Sequence, residues 1–143
     1  MASANESLVR RWFEEIWNRG NIDAADELLA PRAVLHEAGI SGEPSLDVDE
    51  FKVHWAAIRA AIPDIHFDMV FSFEAGEHVA ARLVVTGTHS GPGLGVEPSG
   101  RSFRVTGMVI ARVRDGKLVE GWNNFDLLGL FEQVQAVKRP GGR

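Results

Sequence analysis

The sequence predicts an α+β domain in which helices gather on one face of a strongly curved, antiparallel or mixed sheet, so that sheet and helices enclose an apolar cone. Three observations predict it. Apolar residues recur at helical spacing between Leu8 and Ile62, the period switches to two from Ile65 onward, and tight-turn signals separate the later strands.

Ser3 and Glu6 have capping-box spacing, and Leu8, Val9, Trp12, Phe13, Ile16 and Trp17 form one broad stripe, which predicts a helix over Ser3 to Trp17 ended by Gly20. A short helix from Asp23 to Leu29 follows, limited by Pro31. Ala33 to Leu35 is a brief strand that delivers His36 and Glu37, and residues 39–45 are loop-like. Phe51, Trp55, Ile58 and Ile62 mark a third helix, stopped by Pro63. Alternation then predicts a strand in which Ile65, Phe67, Met69, Phe71 and Phe73 share one apolar face, followed by a strand over Val79 to Thr88. Residues 89–100 hold four glycines and two prolines, the composition of a long crossing or a pocket lip. Strands at 101–114 and 117–125, a final helix from Leu127 to Val137 and a flexible basic tail over 138–143 complete one domain spanning 1–137.

Composition narrows the function. The 143 residues include no cysteine, which removes disulfides, thiolate metal sites and a cysteine nucleophile. A formal net charge of -5 argues against a nucleic-acid partner, because gripping a phosphate backbone needs concentrated Lys and Arg. No apolar run reaches the roughly 18 residues of a membrane span, and acids and arginines interrupt the N-terminal stretch, so a cytoplasmic protein without a membrane partner is expected. The five histidines fall in no ligand-like spacing, and no metal site is expected.

Turn length in the last hairpin sets which side chains face the interior. A three-residue turn at Arg114-Asp115-Gly116 would pair Val113 with Lys117 and place Phe103, Val105, Gly107, Val109 and Ala111 on the face of Val119, Gly121, Asn123 and Phe125. Asn123 is then the polar exception on an apolar face, and an unbonded buried amide costs about 1–3 kcal/mol, so it should hold a partner, a water or a ligand oxygen. The opposite face carries Met108, Ile110 and Trp122 rimmed by charge, a pattern suited to a homodimer contact.

The stretches WFEEIWNRGNIDAADELLAPRAVLHE, VAARLVVTGTHSG and VRDGKLVEGWNNFDLLGLFEQV resemble the SnoaL-like polyketide cyclases of the nuclear-transport-factor-2-like superfamily, over roughly residues 6 to 135. The resemblance implies a cone-shaped α+β barrel with an apolar cavity, a homodimer, and no metal or organic cofactor. It further implies ring closure by intramolecular aldol chemistry, with a carboxylate acting as acid and base. Anchoring on Asp115-Gly116-Lys117 puts the family's catalytic aspartate at Asn123 and its histidine at Val109. Among related epoxide hydrolases an arginine precedes an acid; Arg82 matches the arginine and Val84 stands for the acid. His36 lies at or near the base position of ketosteroid isomerases.

The candidates are therefore His36 as proton shuttle or strand-end histidine, and Asn123 as oxyanion donor. Arg82 binds an anionic group or pairs with an acid such as Asp68, and His89 contacts a ligand carbonyl or braces its loop. Asp126 caps the last helix or takes part in the site, while Trp55 and Phe13 are core or cavity wall beside Val109. Together they point to cyclisation or isomerisation of a small hydrophobic, carbonyl-bearing molecule by proton transfer. The alternatives are a non-catalytic binding protein for such a ligand, an epoxide hydrolase-like enzyme, or a dimerising module with a filled cone.

Overall fold

The first helix begins as the sequence dictates: in a computed structural model, which describes residues 2–38 and 44–135, Ser3 and Glu6 exchange both capping-box hydrogen bonds at the start of α1 (Ala4–Arg11). From Trp12 to Asn18 the helix widens into π-helical turns, which bury Trp12, Phe13, Ile16 and Trp17 together. Such a bulge is invisible to a 3.6-residue periodicity, because it changes the period itself. Two carbonyls in this segment are taken up by the third helix. Trp55 Nε1 donates to the Ile16 carbonyl at 2.9 Å and Arg59 Nη1 to the Trp17 carbonyl at 2.6 Å. Asn18 acts like a strand neighbour of Phe67, donating to its carbonyl at 2.9 Å and accepting from its N–H at 2.7 Å.

A 3-10 turn (Ile22–Ala24) leads into α2 (Ala25–Leu28) and directly into β1 (Leu29–His36), longer than the predicted strand. β1 runs parallel to the last strand, and its register shifts between Leu29 and Val34, a break that accommodates Pro31, which has no N–H to give a ladder. β2 (Ser45–Leu46) pairs antiparallel with the end of β1, where the sequence suggested only loop; residues 39–43 lie outside the described residues. Asp47 and Glu50 form a second capping box that starts α3 (Val48–Ala61).

Four long strands follow: β3 (His66–Ala75), β4 (His78–Thr88), β5 (Ser102–Arg114) and β6 (Lys117–Phe125). The six-stranded sheet has the order β2-β1-β6-β5-β4-β3, all antiparallel except β1 with β6. α4 (Leu127–Gln133) starts at Asp126, whose carboxylate accepts from Gly129 N–H at 2.9 Å. The helix ends at Gln133, with Val134 as its C-cap and Gln135 at positive φ, so it is shorter than the predicted run to Val137; the basic tail predicted at 138–143 lies outside the described residues.

Two bulges revise the predicted faces. In β3 the pairing moves from Met69 with Leu83 to Phe71 with Arg82, so one extra residue, Val70, enters the strand. One residue reverses every later side chain. Ile65, Phe67 and Met69 are buried as expected, but Phe71 and Phe73 emerge on the outer face, 54% and 59% exposed. In the last hairpin the turn is the two-residue Asp115-Gly116, both at positive φ, with Arg114 paired to Lys117. That turn alone would have put Glu120 and Trp122 on the core face. The register shifts between Arg112 and Val113, where Val119 is the extra residue, and from there Val109 faces Asn123 and Ala111 faces Gly121. The expected inward set is therefore restored by a bulge rather than by a three-residue turn, and Leu118 takes the buried place expected of Val119.

Candidate functional site

Between the concave face of the sheet and the helices lies a cavity of about 480 Å³. Its walls come from every layer: Trp12, Phe13 and Trp17 of the π-helical segment, Phe51, Ile58 and Ile62 of α3, and Phe67, Val85 and Val105 of the sheet. Leu94 of the glycine-rich loop and Leu130 of α4 close two further sides. The loop is held there because Gly91 donates its N–H to the Ala61 carbonyl at 3.0 Å; a Cβ at Gly91 would stand 1.8 Å from the Ala60 carbonyl oxygen. The interior is thus largely apolar, in the size range that takes a small organic molecule.

Polar groups reach this cavity along one seam, where β6 ends beside β1. Asn123 lines it, and its Nδ2 donates to the His36 carbonyl at 2.9 Å. A carbonyl accepts only from the N–H side of an amide, so this bond fixes the orientation of the Asn123 side chain. Its second N–H and its Oδ1 make no hydrogen bond among the described residues. Glu37, Ala38, Pro44, Asn124 and Leu127 form the adjoining rim, where Asn124 Nδ2 donates to Glu37 Oε2 at 3.1 Å. Glu37 holds a left-handed backbone, φ 56°, and its N–H donates to the Pro44 carbonyl at 3.1 Å.

Of the sequence candidates, Asn123 and Phe13 therefore stand on the cavity wall. Val109 does so only at a small cleft of about 30 Å³ behind the main space, shared with Asn123 and Trp12. His36 is the main correction. Alternation along β1 sends its ring to the outer face, where Nε2 and Glu120 Oε2 are 2.7 Å apart and Nδ1 and Ser45 Oγ 2.9 Å apart. The ring stacks on Trp122 with centroids 5.5 Å apart. Only its backbone carbonyl serves the cavity side. Glu120 is held below the ordinary carboxylate range, first by the His36 hydrogen bond and then by hydrogen bonds from Arg112, which outweigh the opposing effect of burial.

Arg82 also lies on the outer face, flanked across the strands by the exposed Phe71 and Met108, and no ion pair joins it to Asp68 among the described residues. Trp55 ties α3 to the π-helical segment instead of lining the cavity, with Arg59 over its ring at 5.7 Å. His89 is fully buried and braces its own loop, Nε2 to the Gly93 carbonyl at 3.2 Å, while Nδ1 has no hydrogen-bond partner among the described residues. Asp126 is the helix cap. Sequence reasoning overlooked Glu37 and Asn124. Glu37 follows β1 in a turn with a left-handed backbone, so strand alternation does not place its exposed side chain, and no local signal in the sequence announced it.

A cone of antiparallel and parallel strands wrapped on helices around an apolar chamber with an amide seam defines a class of small-molecule pocket proteins. A sequence profile of the SnoaL-like polyketide cyclase family matches residues 7–134, and the chain belongs to that family. It is 28% identical over 137 residues to the aklanonic acid methyl ester cyclase DnrD of Streptomyces peucetius, covering 92% of this chain and 91% of that protein. It is 29% identical over 132 residues to the aklanonic acid methyl ester cyclase DauD of Streptomyces sp. strain C5, covering 89% and 79%. Among solved structures, wild-type IdmH of Streptomyces antibioticus superposes with a TM-score of 0.80 at 32% identity, covering 92% of this chain and 98% of that one. The expected α+β architecture and family both hold. No helix among the described residues is long and apolar enough to cross a membrane.

Proposed function

We propose that the protein is a cytoplasmic, cofactor-independent enzyme that closes a ring in, or isomerises, a small hydrophobic polyketide-like molecule by proton transfer. The carrying observation is the enclosed apolar cavity of about 480 Å³ with polar side chains confined to one seam. An apolar chamber desolvates a ring system, while a few fixed polar groups select where its carbonyls sit. Asn123 would donate its free N–H to the oxygen that gains charge as an enolate forms; the His36 carbonyl, by fixing the amide, positions it for this. His36 itself then acts through its backbone rather than as a proton shuttle. Arg82 lies outside the cavity, which takes support from an epoxide hydrolase-like reading.

The test is turnover of aklanonic acid methyl ester, the ester in the names of two relatives, followed by chromatography without added metal or cofactor. A ring-closed isomer supports the reading. Saturable binding with no product over long incubation would support a carrier of hydrophobic ligands instead, and no binding at all would overturn both.

The active form would be a homodimer. Val70, Phe71, Phe73, Met108 and Ile110 are each about half exposed on the outer sheet face. These apolar side chains flank Arg82, and Asp68 and Arg104 share the face, so both signs of charge are on hand for a two-fold contact between copies of this surface.

A further inference from the structure

We propose that Glu37 is the general base and acid of the cavity, an inference that rests on the proton-transfer reading given above. Among the residues that line the cavity, Glu37 is the one with a titratable side chain. The position where the resemblance puts a carboxylate holds Asn123, and neither amide on the seam can take a proton near neutral pH. The chemistry therefore needs a base from another element, and the turn that follows β1 supplies it. The last residue of β1 and the one after it are held by consecutive asparagines of β6: Asn123 Nδ2 on the His36 carbonyl at 2.9 Å, Asn124 Nδ2 on Glu37 Oε2 at 3.1 Å. The parallel register that sets His36 against Trp122 brings these four residues together.

The backbone supports a dedicated role. A left-handed conformation is uncommon for a non-glycine residue, and here φ is 56° at a glutamate that immediately follows β1 beside the cavity rim. With Oε2 bonded to Asn124, Oε1 makes no hydrogen bond among the described residues.

In the proposed step Glu37 takes the proton from the carbon between two carbonyls of the bound molecule. The C–H electron pair passes into the enolate, whose oxygen receives the free Asn123 N–H. The enolate carbon bonds to a further carbonyl carbon of the same molecule, the π electrons of that carbonyl move onto its oxygen, and this alkoxide recovers the proton from Glu37. The carboxylate is restored, and the product is an isomer of the substrate.

The test uses aklanonic acid methyl ester with the full-length protein and three variants, reading ring closure by chromatography and deuterium entry at the activated carbon by NMR in D2O. Glu37→Gln should lose about 10²–10⁴-fold in both readouts with an unchanged melting temperature, because general acid–base groups contribute on that scale and the residue is exposed. Glu37→Gly suits the left-handed backbone and opens room at the rim, so added formate should restore at least about tenfold of its rate, which a structural role would not permit. Asn124→Ala should slow both readouts less than Glu37→Gln. Rates within about twofold of the parent for Glu37→Gln, or no formate rescue, overturn the assignment while leaving the cavity's function intact. A parent protein that neither binds nor converts the ester overturns the proton-transfer reading, and the assignment falls with it.

Discussion

The two faces of the β5–β6 hairpin differ in kind, although their residues alternate one by one. Inside, Val105, Val109, Ala111 and Phe125 surround a single amide, Asn123. Outside, Glu120 is shared between His36 and Arg112, Trp122 stacks between His36 and His78, and Met108 and Ile110 stand exposed. The ionisable groups that look most like catalytic machinery are thus on the wall that faces away from the cavity. In a two-residue period, chemical type identifies a candidate but parity decides whether it can touch a substrate. His36 makes the point, since it is a titratable strand residue whose parity carries its ring away from the cavity.

The faces should separate most clearly in stability. Leu83 on the inner face is fully buried, whereas its strand neighbour Met108 on the outer face is 56% exposed. Leu83→Ala should lower the unfolding free energy by about 2–5 kcal/mol in denaturant melts, since it removes core atoms and leaves a void. Met108→Ala should change it by less than about 0.5 kcal/mol under monomeric conditions. Comparable losses at both positions would mean that the outer face is as tightly packed as the inner one.

That separation also shows what could be read from the sequence. The order of the helices and the long strands was legible because the capping box at Ser3, the helical spacing from Phe51 to Ile62, the stops at Gly20 and Pro63, and alternation in the later strands are local signals. The two bulges were not. Val70 and Val119 are ordinary strand residues, and nothing in their type announces that each will be the unpaired one. The inward position of Asn123 was reached because two departures from expectation, a shorter turn and an added residue, offset each other in parity. Phe71 and Phe73 had no such offset and came out on the wrong side. The long β1 and the short β2 were obscured by Pro31 and by a polar, glycine-containing segment. The π-helical turns at Trp12 escaped for the reason that they break the period used to find helices.

Function should separate the faces next. Asn123→Leu keeps the volume roughly constant but removes the donor on the cavity seam, and should reduce turnover of the ester by about 10²-fold, the cost typical of a lost oxyanion donor. His36→Gln alters only the outward ring and leaves the backbone carbonyl that orients Asn123, so its turnover should stay within about threefold of the parent. A larger loss in His36→Gln than in Asn123→Leu would return the imidazole to the mechanism. In assembly, if the proposed homodimer forms through the outer face, Phe71→Lys should leave the protein monomeric in sedimentation equilibrium where the parent is dimeric, and a parent that is itself monomeric would overturn the dimer. The corresponding inner-face residue, Phe67, is buried against Trp17 and Phe13, and its loss would act on folding instead.

The smallest effect belongs to the outer charge cluster and is visible only as a function of pH. Glu120 accepts from His36 and Arg112, and the first of these is the larger cause of its lowered pKa relative to 4.5. The imidazole needs no charge to do this, since a neutral ring can donate Nε2–H to Glu120 and accept at Nδ1 from the Ser45 hydroxyl. A carboxyl whose pKa is lower in the folded than in the unfolded chain adds stability that is complete above the unfolded value and disappears as pH falls through the folded one. Glu120→Gln should therefore be less stable than the parent by about 1 kcal/mol at pH 7, the scale of partly exposed ion pairs, and the gap should close as the pH falls through the lowered pKa of the folded state. A gap that persists unchanged into acid would place the stabilising contribution of Glu120 in packing rather than in its charge. Either way turnover at pH 7 should be nearly unaffected, because the cluster sits on the far side of the sheet from the cavity.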